Sequence, residues 1–389
     1  MRAASAFSLL ALAATALAVD LGVPLSWREF SDNKTKAQHI SISKAGIDQI
    51  TPQLVASTAN FNGIGYWQSG NVFSAMANHD HFAGTTTYKT TVLNGLNTAF
   101  SKYAHYDQFG YNDDAMWWAT AAYYAYRAYG DTTVLNHAID TWTHVSNYVV
   151  KNGKAPGKSF TPAATCNGKT MDGGVFWRPT ADDTGINSIT TGLYLTLSAF
   201  LATTTSANAN YVNAAITSVN WIRNQNLNSE GLVLDSVNGK DCSRPNTWLF
   251  TYNQGKTIEG LAVLYDVTKD SQWSDWLTSL VNAAVKSKHW EGDDGVITEG
   301  ASPSKNNDGV GFKSVFVRAL NEVFVRTTIR DLNILIHSYL DVQYNALLEL
   351  ASTGNNIYSS AWHGPPQSFT TWGQMAALDV IVSAISANT

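Results

Sequence analysis

Residues 109–131 read FGYNDDAMWWATAAYYAYRAYGD, and this stretch sets both the expected fold class and the expected chemistry. Ala115, Trp118, Ala119, Ala122, Ala125, Tyr126 and Tyr129 recur at the spacing of one helix face turned to a core. Asn112 suits the N-cap position, Gly130 a left-handed C-terminal end, and Asp131 the turn that follows. Asp113 and Asp114 then open the helix. Acidic residues in a first turn ordinarily serve the helix dipole, at roughly 0.3 to 1 kcal/mol each. Here two indoles, Trp117 and Trp118, follow within a turn, and a solvated helix start rarely carries such a pair. Trp118 lies on the apolar stripe and Trp117 beside it, so a core role weighs more on Trp118.

Two carboxylates beside aromatic walls form the composition of a sugar site. Glycoside hydrolysis uses such a pair, about 5 to 5.5 Å apart for retention and about 6.5 to 9.5 Å for inversion. Consecutive helix residues diverge by about 100° around the axis, so spacing alone leaves the stereochemistry open.

Outward from this helix the same periodicity recurs. Helical patterns fall near 40–58, 66–79, 86–103, 112–129, 133–149 and 187–203, then near 209–224, 252–268, 272–288, 312–325, 329–352 and 368–386. Pro52 is expected to kink or end the first. Strand-like alternation is scarce, so the chain reads as all-α. Even-numbered members start on unusual residues: Tyr66, Trp67 and Gln68 in the second, Asn187 and Ser188 in the sixth, Tyr252, Asn253 and Gln254 in the eighth, Phe312 and Lys313 in the tenth. If consecutive helices pair as hairpins, alternate helices run the same way and their N-termini converge on one face. The longest connections, 150–186, 225–251 and 289–311, all lead into even members. Long loops in a compact domain tend to be functional, so a cleft is expected there.

Charged residues make up only 14% of the 389-residue chain, the net charge is -5, and basic residues form no runs. Nucleic acid and anionic membrane are poor partners for such a surface. Aromatics reach 12%, with 13 Trp, a surplus suited to a neutral polar ligand. Residues 1–18 combine Arg2, an apolar run from Ala6 and the small-x-small end Ala16-Leu17-Ala18, the pattern of a secretory signal peptide. One domain over 19–389 is expected, secreted to the extracellular space or cell wall. In that compartment Cys166 and Cys242, in two different long loops, are expected to pair. Asn33-Lys34-Thr35 is a glycosylation acceptor triplet. The end of the chain, 379–389, has no long apolar tail, so no lipid-anchor signal is evident. Nothing points to an obligate partner, and a monomer is expected.

Other candidates carry less. Trp177, in GGVFWR at 173–178, reads equally as a sugar platform or a loop anchor, and Arg178 as an ion-pair former. Asp182-Asp183 and Asp293-Asp294 are adjacent pairs flanked by Thr and Gly, which favours turn and capping roles. His79-Asp80-His81 has no further ligands at zinc spacing, and no metal is expected. A Gly-x-Ser-x-Gly elbow and a phosphate loop are both missing.

GYNDDAMWWATAAYYAYRAYGD, GGVFWRPTADDTGINSITTGLYLTLSAFL, WLFTYNQGKTIEGLAVLYDVTKD and GFKSVFVRAL, taken in order, resemble glycoside hydrolase family 76, the α-1,6-mannanases. The resemblance implies an (α/α)6 barrel of six helical hairpins, retaining hydrolysis of α-1,6-mannosidic bonds in α-mannan or mannooligosaccharides, and no cofactor. It places the nucleophile on Asp113 and the acid/base on Asp114. Trp67, Trp117, Trp118, Trp177, Asn187, Tyr252, Asn253 and Gln254 are then the expected subsite walls and hydroxyl partners. A helix N-terminus favours both carboxylates ionised, whereas an acid catalyst needs one protonated. Repulsion from Asp113 and burial against Trp117 or Trp118 are expected to raise Asp114. Alternatives are a cell-wall transglycosylase using the same intermediate, or a mannan-binding protein without catalysis.

Overall fold

The computed structural model describes residues 19–205, 208–300 and 306–388; the expected signal peptide, 1–18, lies outside them. Twelve α-helices run through the described residues: α1 Lys36–Ile50, α2 Tyr66–Ala83, α3 Lys89–Lys102, α4 Asn112–Tyr129, α5 Thr132–Val145, α6 Ser188–Thr204, α7 Asn208–Gln225, α8 Thr251–Thr268, α9 Ser271–Val285, α10 Gly309–Phe324, α11 Arg330–Glu349 and α12 Thr371–Ala387. The protein is all-α, with only two- and three-residue strands in the connections.

Inner and outer helices differ in how they are buried, with α11 the exception, covered continuously from Ser338 to Leu347. On α5 the buried residues are Val134, Leu135, Ala138, Thr141 and Val145, one stripe with the rest facing water. On α2, by contrast, every residue from Tyr66 to Asp80 is buried, and α8 and α10 are nearly the same. A helix covered all round sits inside. Packing follows suit: α2 lies on α4, α4 on α6, α6 on α8, α8 on α10, α10 on α12, and α12 back on α2. Six inner helices thus close a ring, and the odd-numbered helices form the outer layer. This is the architecture of six hairpins in an (α/α)6 barrel.

Several charges inside the ring are paired, and Lys313 instead donates to the carbonyls of Glu299 and Ser360. Lys256 meets Glu259 at 2.5 Å, Arg318 meets Asp379 at 3.1 Å, and Arg127 meets Glu322 at 2.7 Å. Tyr124 also donates to Glu259.

Helix boundaries depart from the sequence pattern where local chemistry intervenes. The first helix stops at Ile50, because Pro52 enters a 3-10 turn over Thr51–Gln53 and a short ribbon takes Leu54–Val55. The fifth stops at Val145 and passes into a 3-10 turn at Ser146–Tyr148. The largest correction falls on Asn112. Tyr111 has the extended N-cap backbone, Asn112 is the first helical residue, and no side chain caps the helix. Gly130 ends α4 in the left-handed conformation, and the Asp131 carboxylate caps α5 through the amides of Thr133 and Val134.

Long connections lead into α6, α8 and α10. Cys166 and Cys242 are bonded, with Cα atoms 5.6 Å apart. That bond joins the first two long connections, as does an antiparallel ribbon pairing Gly185–Asn187 with Ser236–Asn238. No helix among the described residues is long and apolar enough to cross a membrane.

Candidate active site

Because the inner helices run the same way, the starts of α2, α4, α6, α8 and α10 open on one face. There they line a cleft of about 750 Å³. The residues preceding α2, α4, α8 and α10 make no side-chain cap. Asn187 alone among these starts caps its own helix, accepting from the Thr190 amide at 3.1 Å.

Asp113 and Asp114 lie at the start of α4 in this cleft. Asn112, freed from capping, fixes them in place. Its amide nitrogen donates to the Phe176 carbonyl, and its backbone N–H to the Trp177 carbonyl, both at 2.8 Å. Those bonds fasten the helix start to the segment 175–178. Trp177, 38% exposed, then donates its indole N–H to Asp113 Oδ2 at 3.0 Å. The other oxygen, Oδ1, accepts from the Asp114 amide at 3.0 Å. Tyr111 packs on Trp177 with centroids 4.9 Å apart.

The two carboxyls differ in environment. Burial pushes Asp113 up to about 7, opposed by hydrogen bonds to its charged form from the Asp114 amide, the Trp177 indole and its own backbone. Burial pushes Asp114 up to about 8, and the charges of Asp113, Asp308 and Asp107 add to it. Burial is the largest influence at both. Asp113 has the donors and Asp114 has the repulsion, so Asp113 ionises first and Asp114 keeps its proton.

Across the cleft floor runs a continuous aromatic surface. Trp117 stacks on Trp67 at 5.4 Å, Trp67 on Phe312 at 5.9 Å, and Phe312 on Tyr252 at 3.9 Å. Gly311 permits this, since a Cβ there would come within 3.0 Å of the Trp67 ring. Lys256 lies 5.8 Å from the centroid of the Trp117 ring.

Of the expected walls, Trp67, Trp117, Trp177, Asn187 and Tyr252 line the cleft. Trp118, Asn253 and Gln254 do not. Trp118 is 0% exposed, stacks on Tyr66 at 4.8 Å and donates to the Tyr66 carbonyl, as its place on the apolar stripe requires. Asn253 is buried behind the wall and donates to Asp235 Oδ1 at 3.2 Å. Gln254 ties the Val233 backbone, accepting from its N–H and donating to its carbonyl, both at 2.8 Å. The side chains of Asn253 and Gln254 are consumed in holding the 225–250 connection against α8.

Asp235, Asp308, Phe109, Tyr111 and Trp248 line the cleft without having been singled out. All sit in connections into inner helices, and that location was the available signal. Asp183 lines the cleft too, accepting from the Gly185 amide at 3.1 Å in a turn. Asp293 and Asp294 lie elsewhere, on Lys288 and His363. His79 bonds Ser43, and Asp80 accepts from the backbone of Thr87 and Tyr88. No group of three or more His, Cys, Asp or Glu among the described residues is placed to hold a metal ion.

Comparisons with known proteins agree with this geometry. The mannan endo-1,6-alpha-mannosidase DCW1 of Saccharomyces cerevisiae is 25% identical over 340 residues, spanning 82% of this chain and 71% of that one. The Candida albicans protein of the same name is 29% identical over 245 residues, 57% of this chain and 52% of that one. Among solved structures, an inactive variant of a Salegentibacter alpha-1,6-mannanase, with two consecutive aspartates replaced by alanine and an alpha-1,6-linked mannotetraose bound, superposes with a TM-score of 0.76. It is 14% identical, with 90% of this chain and 99% of that one covered, so it speaks for the fold. Dfg5 from Chaetomium thermophilum in complex with glucosamine superposes with a TM-score of 0.70 at 18% identity, covering 92% and 90%. The model of glycosyl hydrolase family 76 matches residues 32–389, and the chain is a glycoside hydrolase belonging to that family.

Proposed function

We propose that this enzyme cleaves α-1,6-mannosidic bonds with retention, Asp113 acting as nucleophile and Asp114 as acid and base. The observation that carries the assignment is the asymmetry of the pair. Asp113 accepts the Trp177 indole N–H and the Asp114 amide, while Asp114 is raised to about 8 by burial and by neighbouring carboxylates. An ionised nucleophile beside a protonated acid is the state retaining hydrolysis starts from.

In the first step Asp113 Oδ attacks the anomeric carbon while Asp114 gives its proton to the departing sugar oxygen. That leaves a glycosyl ester on Asp113 and an ionised Asp114. Water then attacks the anomeric carbon, Asp114 takes its proton, and the ester bond to Asp113 breaks. A sugar hydroxyl in place of water would give transfer. Trp67, Trp117 and Tyr252 offer apolar faces for pyranose rings, and Asn187 a polar group for hydroxyls. The mannose specificity rests on the relatives' names and on the Salegentibacter protein, inactivated at two consecutive aspartates and binding α-1,6-linked mannose.

Residues 1–18 and the Cys166–Cys242 bond support secretion. The test is product analysis on linear α-1,6-mannan, with the anomer followed by NMR, for wild type beside Asp113→Asn and Asp114→Asn. α-Configured products lost in both variants support the assignment. Full activity in either variant refutes it. New longer products on adding acceptor mannosides would show transfer.

A further inference from the structure

The charge balance of the cleft is one-sided. Asp113, Asp114, Asp183, Asp235 and Asp308 line it, five carboxyl groups in all, and no Lys, Arg or His among the described residues does. The nearest cations are otherwise engaged. Lys256 is fully buried beneath Trp117 and paired with Glu259. Arg244, close to Asp235, spends its guanidinium on the carbonyls of Ser236 and Gln225 and on Asn226 Oδ1. Arg178 lies over the Tyr111 ring, 4.6 Å from its centroid.

The catalytic pair accounts for only two of the five carboxyls. Asp183 and Asp308 come from different connections, and Asp308 is held in place by the Gln68 amide at 2.7 Å. Gln68 is itself fully buried, and its Oε1 has no donor. The wall's carboxylates are acceptors, which suit hydroxyl or other N–H and O–H donors, and they stand beside the N–H groups of Trp177 and Asn187. An anionic group would meet like charge from the ionised members of this set, whereas Asp114, while it keeps its proton, adds nothing to that field.

We infer that the cleft selects against glycans bearing anionic substituents, such as phosphodiesters, near the scissile bond, and that Asp183 and Asp308 contribute to this selection outside the chemical step. The inference rests on the proposed action on α-1,6-mannan and names the part of that polymer the site accepts: neutral stretches. Field lines focused in a cleft of one sign change association by roughly tenfold or more at low ionic strength, and salt screens the effect.

The test compares linear neutral α-1,6-mannan with mannan carrying mannosyl phosphate, by kcat/KM at low and at high salt. The phosphorylated substrate should be cut about tenfold more slowly at low ionic strength, and the gap should narrow severalfold as salt rises. A bulky neutral branch would lose rate without that salt dependence, which separates charge from steric exclusion. Asp308→Asn and Asp183→Asn keep a hydrogen-bond acceptor for Gln68 and Gly185. In each the phosphorylated-to-neutral ratio should rise severalfold at low salt, whatever happens to the absolute rate. Equal rates on both substrates at low salt, or a gap that ignores salt and both variants, overturns the inference. No turnover of neutral mannan overturns the hydrolase reading instead. Calorimetric Kd values for the same two polymers then decide the inference separately: weaker, salt-dependent binding of the phosphorylated one supports it, and equal binding overturns it.

Discussion

Replacing Trp177 by Phe keeps an aromatic face in the cleft but removes the N–H that Asp113 Oδ2 accepts at 3.0 Å. A hydrogen bond to a charged group is worth about 1.5 to 3 kcal/mol net. The indole is 38% exposed, so water replaces part of it, and about 1.4 kcal/mol is the reasonable loss, a factor of ten in the ionisation constant. Asp113, already raised to about 7, should therefore rise by roughly one further pH unit. In the proposed mechanism Asp113 is ionised and Asp114 protonated, so the acidic limb of the kcat/KM profile belongs to Asp113. The variant should then fall about tenfold below wild type at pH 5 and approach it above pH 8, where Asp113 is ionised in both. The assay is the full pH profile of kcat/KM on linear α-1,6-mannan. Equal losses at pH 5 and pH 8.5, with the limb unmoved, would mean that Trp177 is only a platform and would refute the assignment of Asp113 to that limb.

Further outcomes follow from the same environments. Asp308→Asn removes a charge that raises Asp114, so the alkaline limb should move to lower pH while the acidic limb stays. A carboxyl held near 8 rather than near 4 favours the folded state when protonated. Stability from Asp114 is thus present in acid and lost as pH rises toward 8. Asp114→Asn should accordingly melt higher than wild type at pH 9, by at most about 5 kcal/mol, and match it near pH 4; equal melting at both would sink the burial argument. Reducing Cys166–Cys242, which closes a loop of 76 residues in sequence separation, should cost about 4 kcal/mol in denaturant melts. Gly311→Ala should push the Trp67 ring and raise KM more than it lowers kcat, with a stability loss of about 1 to 3 kcal/mol.

How much of this was written in the sequence depends on the range of the interactions involved. The all-α class, the number of helices, the contrast between even and odd members and the face on which the cleft opens all follow from local periodicity and connection lengths. These are properties of neighbours along the chain. Asp113 and Asp114 were legible for the same reason, as an acidic pair opening an aromatic helix, and so was the core position of Trp118 on its apolar stripe.

What only the tertiary structure decided lies between segments far apart in sequence. Asn112 looked like a cap and instead bonds the backbone of 176–177, because that loop folds over the start of α4 and satisfies the amide better than the helix does. Asn253 and Gln254 looked like hydroxyl partners and instead hold the 225–250 connection, since a buried loop backbone must find acceptors and donors. Asp235 and Asp308 carried no signature beyond their place in long connections. Their importance is electrostatic, and charge acts through space, so it becomes visible only once the barrel closes and brings five carboxyl groups around one cleft.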